Sequence, residues 1–323
     1  MQASQVTSLL SNPNKTQVMG VQVRQKIAHM QDTFGRQTDF TADLVVDASG
    51  RNSRAPRWLE AMGYTPPKET VINSFLGYTS RLYQLPENFQ RDWQGALVTS
   101  KASGTRGGVM SAVEGNRWIV TLAGIGRDYP PTDEAGFLDF AQSLRNPIIY
   151  EAIVDAKAIS PLTAYHRTEN SWRHYEKLSR LPSGFVLIGD AVCAFNPVYG
   201  QGMTTAALGA LTLDECLSKQ LSHYADGNLV GLSQNFQKQL SKIIAAPWLM
   251  ATGEDFRWDT TVGGRPNLMT QLMQHYLDQV LLLAAESPDI HRLFLEVMHL
   301  LKPPSAFLQT NIFRQVLQRI ISH

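Results

Sequence analysis

The segment Gly184-Phe185-Val186-Leu187-Ile188-Gly189-Asp190-Ala191 constrains this chain more than any other. Four apolar residues running into a glycine fit a short strand covered on both faces, as in a parallel sheet. The strand stops at Gly189-Asp190, and a turn follows at Asn196-Pro197-Val198-Tyr199-Gly200-Gln201-Gly202. An alanine-rich helix is predicted from Met203 to about Lys219. Gly200 and Gly202 have no Cβ, so the backbone there can approach a ligand closely. The helix start adds unpaired N–H groups and the positive end of its dipole. Such a site suits a ligand that brings hydroxyls to Asp190 and a negative or electron-rich edge to the helix.

A second segment repeats the design. In Ala42-Asp43-Leu44-Val45-Val46-Asp47-Ala48-Ser49-Gly50-Arg51-Asn52-Ser53-Arg54 an apolar strand ends in an aspartate, then a small-residue turn, then a basic stretch leading to Trp58-Leu59. Arginine there suits phosphate, because its planar fork donates two parallel hydrogen bonds. A flavin has both the hydroxyls and the electron-rich edge that suit the first segment.

In this order, the two segments resemble the fingerprints of the group A FAD-dependent monooxygenases, the aromatic hydroxylase and polyprenyl-methoxyphenol hydroxylase-like superfamily. The resemblance implies an α/β fold, with an FAD/NAD(P)-binding Rossmann-like domain and an inserted β-sheet substrate domain. It implies that Asp190, after Gly189, holds ribityl hydroxyls. Pro197, Gly200 and Gly202 would shape the turn against the pyrimidine edge of the isoalloxazine. Asp47 and Gly50 would sit at the cofactor, with Arg51, Ser53 and Arg54 available for phosphate or for an incoming nicotinamide dinucleotide. Many members have histidine where this chain has Cys193.

The family begins with a βαβ unit carrying G-x-G-x-x-G, whose helix start neutralises the pyrophosphate. That pattern occurs nowhere in the 323 residues. The expectation is a member shortened at its N-terminus by roughly a hundred residues, judged from the size of the missing unit within such a domain. A separate N-terminal polypeptide could complete it.

Length alone allows about two domains, and no repeats or low-complexity tracts divide the chain. A net charge of +1 without a basic tract argues against nucleic acid as a partner. Cys193 and Cys216 provide neither a disulfide framework nor metal-ligand spacing. The first residues lack a signal peptide's pattern, and the default location is cytoplasmic. Residues 1–68 and 169–226 read as a discontinuous FAD-binding domain, 69–168 as a strand-rich substrate domain, and 227–323 as a helical C-terminal region.

Within the substrate domain, Val71 to Tyr83 reads as one long strand, and Gly107–Val113 and Arg117–Gly124 as a hairpin around Glu114-Gly115-Asn116. Asp133-Glu134 opens a helix that Asn146-Pro147 closes. Further helices are predicted over 229–246, 267–285, 290–301 and 304–321. The last has an apolar stripe with Arg314 and Arg319, suited to packing on the domain or to weak membrane association. His166 and His174 are candidates for a catalytic base, although surface or hinge roles suit them better. Trp118, within Arg117-Trp118-Ile119-Val120, resembles part of the tryptophan-rich motif of flavin-dependent halogenases, but the W-x-W-x-I-P pattern itself is missing. Glu254-Asp255-Phe256-Arg257-Trp258 reads as a charged, structural segment between helices.

By resemblance, such a protein takes hydride from NADH or NADPH onto FAD and uses dioxygen to hydroxylate or epoxidise a hydrophobic aromatic or isoprenoid substrate. No side chain need act as acid or base to move oxygen, so none is named catalytic. A flavin-dependent reductase of the same fold and a truncated remnant without activity are the alternatives.

Overall fold

The computed structural model describes residues 3–26, 34–86, 93–100 and 104–322. Strands β1 (Ser4–Ser11), β2 (Val18–Lys26) and β3 (Phe34–Thr41) form an antiparallel meander. Strand β4 (Val45–Asp47) leads through a single 3-10 turn to helix α1 (Ala55–Ala61) and strand β5 (Glu69–Ile72). Strands β6 (Gly77–Gln84), β7 (Gly95–Val98), β8 (Arg106–Val113) and β9 (Arg117–Gly124) come next, then helices α2 (Glu134–Gln142) and α3 (Ile148–Ile153). Short strands β10 (Lys157–Ala158), β11 (Thr163–Tyr165), β12 (Asn170–Arg173), β13 (Phe185–Leu187) and β14 (Cys193–Ala194) precede helix α4 (Gly202–His223). Helices α5 (Leu232–Asp255), α6 (Leu268–Glu286), α7 (Pro288–Met298) and α8 (Thr310–Ser322) complete the chain.

These elements form two compact units. The first contains Met1–Val71, Ser171–Ala251 and Gln271–His323, and the second Ile72–Asn170 and Thr252–Thr270. In the first, β4 and β13 form a parallel pair and β14, β12 and β5 a small sheet. The apolar run read as a covered strand is one: Phe185, Val186 and Leu187 are fully buried, packed among Leu59, Tyr175, Phe236 and Leu240. A separate cluster joins α6, α7 and α8 through Val280, Leu293, Val297, Phe307 and Val316. On α8, Ile312 and Val316 are buried while Phe313, Leu317, Ile320 and Ile321 stay exposed. No helix among the described residues is long and apolar enough to cross a membrane.

The second unit is an antiparallel sheet in the order β10-β6-β9-β8-β7, with β11 also on β6. Alternation sets its two faces. Tyr83, Met110, Trp118, Val120 and Leu122 point to a core closed by Phe137, Phe140, Leu144 and Ile149 of the helical segment. On the other face, pairing aligns Leu97, Val109, Thr121 and Ser80, flanked by the Leu82–Ile119 and Tyr78–Ala123 pairs. Leu97 is 70% exposed and Val109 37%, and no charged side chain falls in these rows. The hairpin turn at Glu114–Asn116 is present, with Gly115 and Asn116 both at positive φ. Asp133 caps α2 by accepting from the Gly136 N–H at 2.8 Å.

Several expected boundaries move. The strand read from Val71 to Tyr83 breaks between β5 and β6, because the Asn73 side chain accepts the Phe75 N–H at 2.7 Å and Phe75 takes φ +53°. Helix α5 does not stop before Pro247 but continues to Asp255. Buried Ile244 and Ala251 on either side of the proline, with Trp248 edge-on to Trp172 at 5.5 Å, hold the helix together despite the lost backbone bond. The final helix is divided, a 3-10 turn over Pro304–Leu308 preceding α8.

The tightest backbone approach in the second unit is at Gly124, where an added Cβ would lie 1.7 Å from the Asp128 carbonyl oxygen. That loop closes β9 and cannot give way without losing the bonds from the Gly126 N–H to the Ser74 carbonyl and from the Arg127 N–H to the Phe75 carbonyl, both at 3.0 Å. Gly124→Ala is expected to destabilise the unit by about 3 kcal/mol, measured as a lower urea midpoint. An unchanged midpoint would mean that the loop is free to shift.

Candidate functional site

Parallel pairing of β4 with β13 brings the two motifs together. Leu187 pairs with Asp47, and the Ile188 N–H donates to the Asp47 carbonyl at 3.0 Å, so both strands end side by side. Two arginines then cross between the turns. Arg51 Nη2 donates to the Phe195 carbonyl at 2.5 Å. Arg173, arriving on β12, donates from Nη2 to the Arg51 carbonyl at 2.9 Å and from Nη1 to the Ala191 carbonyl at 3.2 Å. Carbonyls in irregular turns lack ladder partners, and the guanidinium fork satisfies several at once.

The two motif aspartates are engaged very differently. Asp47, 6% exposed, is occupied by its own turn: Oδ1 accepts from the Ser49 N–H at 2.9 Å and hydroxyl at 2.6 Å, and Oδ2 from the Ser53 hydroxyl at 2.5 Å. This network fixes the shape of the turn that holds Gly50, at φ +78°. Asp190 is half-buried and accepts no hydrogen bond among the described residues. Burial raises its carboxyl above the usual carboxylate range, an effect that Arg51 partly offsets. A carboxylate so placed is costly to leave without donors.

Beside Asp190 the turn is open. Pro197 begins a 3-10 turn, Gly200 closes it at φ +68°, and Gly202 opens the 22-residue helix α4. A Cβ at Gly200 would meet nothing within 4 Å, and one at Gly202 only Asp190 Oδ1 at 3.9 Å. Between them, Gln201 is 3% exposed with its side-chain oxygen buried and unpartnered. Gly189 adopts φ +61°, so the chain can turn directly after the buried strand.

A cavity of about 390 Å³ is lined by Asn52, Ser53, Arg54, Pro56, Arg57, Glu69 and Arg173. Arg173 Nε lies 3.4 Å from Glu69. Arg54 and Arg57 are exposed and have no partner among the described residues. The motif had drawn attention to Ser53 and Arg54. Arg57, one helical turn on, was readable from its spacing, but Arg173 and Glu69 reach the cavity only through the fold.

The remaining candidates have structural surroundings. Cys193 is buried, and burial with the nearby Asp190 charge pushes its thiol well up. His174 is held between Thr70 and Glu176, both at 2.8 Å. His166 stacks on Tyr129 at 4.3 Å. Trp118 is a core residue, edge-on to Trp93.

No protein-family model matches the chain. Protein Rv3254 of Mycobacterium tuberculosis is 35% identical over 190 residues, covering 58% of this chain and 39% of that protein, so the chain spans less than half of the curated relative it matches. Among solved structures, the flavin-dependent brominase Bmp2 aligns with a TM-score of 0.61 at 13% identity, over 92% of this chain and 64% of its own. A flavoprotein/dehydrogenase from Cytophaga hutchinsonii gives 0.60 at 14%, over 97% and 66%. The anhydrotetracycline hydroxylase OxyS from Streptomyces rimosus gives 0.55 at 14%, over 94% and 53%. At these identities the likeness is one of fold. The chain is a mixed α/β protein with the fold of the flavin-dependent halogenases and hydroxylases.

The raised carboxyl of Asp190 has a stability consequence. Its folded pKa lies above the unfolded value, so the folded state loses stability as pH rises through the folded pKa. Asp190→Asn is expected to melt above the parent at pH 7 and level with it below the carboxylate range. A parent that melts higher at pH 7 would mean that donors already satisfy the carboxylate.

Proposed function

We propose that this chain is an FAD-binding, monooxygenase-like oxidoreductase that works with NADH or NADPH on a hydrophobic aromatic or isoprenoid substrate. The observation that carries the reading is Asp190, a half-buried carboxylate without a donor beside an open glycine turn and a helix N-terminus. The residues present fit a flavin. Asp190 would accept ribityl hydroxyls, and the unpartnered oxygen of Gln201 would accept from a ring N–H. Gly200 and Gly202 leave room for the ring edge, with the N-terminus of α4 favouring its electron-rich side. When bound, FAD supplies hydride acceptance and oxygen activation, chemistry that no side chain provides.

The other residues position and select. Asp47 and Gly50 shape the neighbouring turn, and Arg51 and Arg173 hold the two turns at a fixed separation. The cavity at Arg54 and Arg57 suits the phosphates of the nicotinamide donor, because two unpaired guanidinium groups outweigh the single Glu69 carboxylate. The charge-free rows on one face of the second unit's sheet, from Tyr78–Ala123 to Leu82–Ile119, support a hydrophobic substrate. The exposed apolar stripe of α8, with Arg314, supports weak association with a membrane surface.

Titration of the protein with FAD, followed by flavin fluorescence, tests the site. Asp190→Ala is expected to weaken binding about tenfold, as for loss of a hydrogen-bonded charged acceptor. Gly202→Val is expected to abolish binding while leaving the far-ultraviolet circular dichroism unchanged, since a Cβ there meets no backbone. Equal FAD affinity in both variants and the parent would remove the turn from the site. With flavin bound, NADPH oxidation should consume oxygen in step. Hydride consumption without oxygen uptake would instead favour a reductase.

A further inference from the structure

Helices α7 and α8 of the first unit meet over a second cavity, of about 340 Å³. Its floor is apolar: Ile290 and Leu293 of α7 and Ile312 of α8 are buried and belong to the cluster that joins these helices. Its rim carries charges of both signs, with Asp289, Arg292 and Glu296 on α7 and Lys302 just after it. Lys302 and Glu296 neutralise each other, Nζ to Oε2 at 2.7 Å. The chain is folded back for this contact, because the Leu301 and Lys302 N–H groups both donate to the Glu296 carbonyl, at 2.8 and 3.2 Å.

The other two charges on the rim are not committed in this way. Asp289 and Arg292 are exposed, and neither has a side-chain hydrogen bond or ion pair among the described residues. Three positions apart on α7, they share one helix face, where such neighbours have Cβ atoms about 5–6 Å apart. The start of α8 adds donors to the same cavity through Asn311 and Ile312. A helix leaves its first N–H groups unpaired unless a side chain caps them. Asp133 does so for α2, whereas neither Gln309 nor Thr310 caps α8 among the described residues.

We propose that this cavity binds the zwitterion of an α-amino acid with an apolar side chain. Arg292 and the uncapped start of α8 take the carboxylate, one with a planar fork and the other with backbone donors. Asp289 takes the ammonium group. Its place beside Arg292 on one helix face matches a ligand whose two charges are separated by a single carbon. Ile290, Leu293 and Ile312 receive the apolar side chain. A phosphate or a dicarboxylate would meet the Asp289 and Glu296 carboxylates, and a plain amine would leave Arg292 and the α8 donors unmet. None of these residues takes part in the flavin or nicotinamide reading, so the site stands or falls without it.

The test is calorimetric titration of the whole protein, without flavin, with L-leucine and two partial analogues. One is 4-methylpentanoate, which lacks the ammonium group, and the other is 3-methylbutylamine, which lacks the carboxylate. Leucine is expected to bind at least tenfold more tightly than either at pH 7. Arg292→Gln should bind leucine no better than the parent binds the amine, and Asp289→Asn no better than the parent binds the acid. Both side chains are exposed and unpaired among the described residues, so both variants should melt with the parent. No measurable binding of leucine, equal binding of the three ligands, or undiminished leucine binding by either variant would overturn the proposal. A marked fall in melting temperature for both variants would do the same, showing Asp289 and Arg292 to be structural.

Discussion

Everything at the candidate site depends on the three-residue parallel pairing of Val45–Asp47 with Phe185–Leu187. Such a short ladder contributes little by itself. Its strength comes from the complete burial of Phe185, Val186 and Leu187 against the helices around them. Because both strands end together, two turns distant in sequence meet at one edge. Arg51 and Arg173 then tie those turns through backbone carbonyls, so the geometry rests on main-chain atoms.

The site leaves some groups satisfied and others not. Asp47 spends its oxygens on Ser49 and Ser53 and behaves as part of the scaffold. Asp190 and Gln201 are left with buried or half-buried acceptors that have no partner among the described residues. Unmet acceptors lower the stability of the chain alone and are offset only when a ligand brings donors.

Much of this was legible in the sequence because the signals were local. The buried strand, the turn from Pro197 to Gly202 and the helix after it depend on neighbouring residues and on glycines that tolerate φ values other residues avoid. The hairpin at Glu114–Asn116 and the cap at Asp133 were readable for the same reason. The break at Phe75 was not, because an aromatic in a run of strand-forming residues carries no sign of a left-handed turn imposed by Asn73 and Arg127. The passage of α5 through Pro247 was equally hidden, since burial of Ile244 and Ala251 outweighs the proline.

The sequence by itself determined which local elements form the candidate site, since a glycine-aspartate strand end, a glycine turn and a serine-arginine turn each declare themselves within a few positions. Only the tertiary structure decided how they are used. Side-chain partnering is set by residues far along the chain, and it separates the occupied Asp47 from the available Asp190. It also brings Arg173 and Glu69 to the cavity beside Arg54. Local pattern specifies the backbone; the long-range fold specifies which polar groups are left for a ligand.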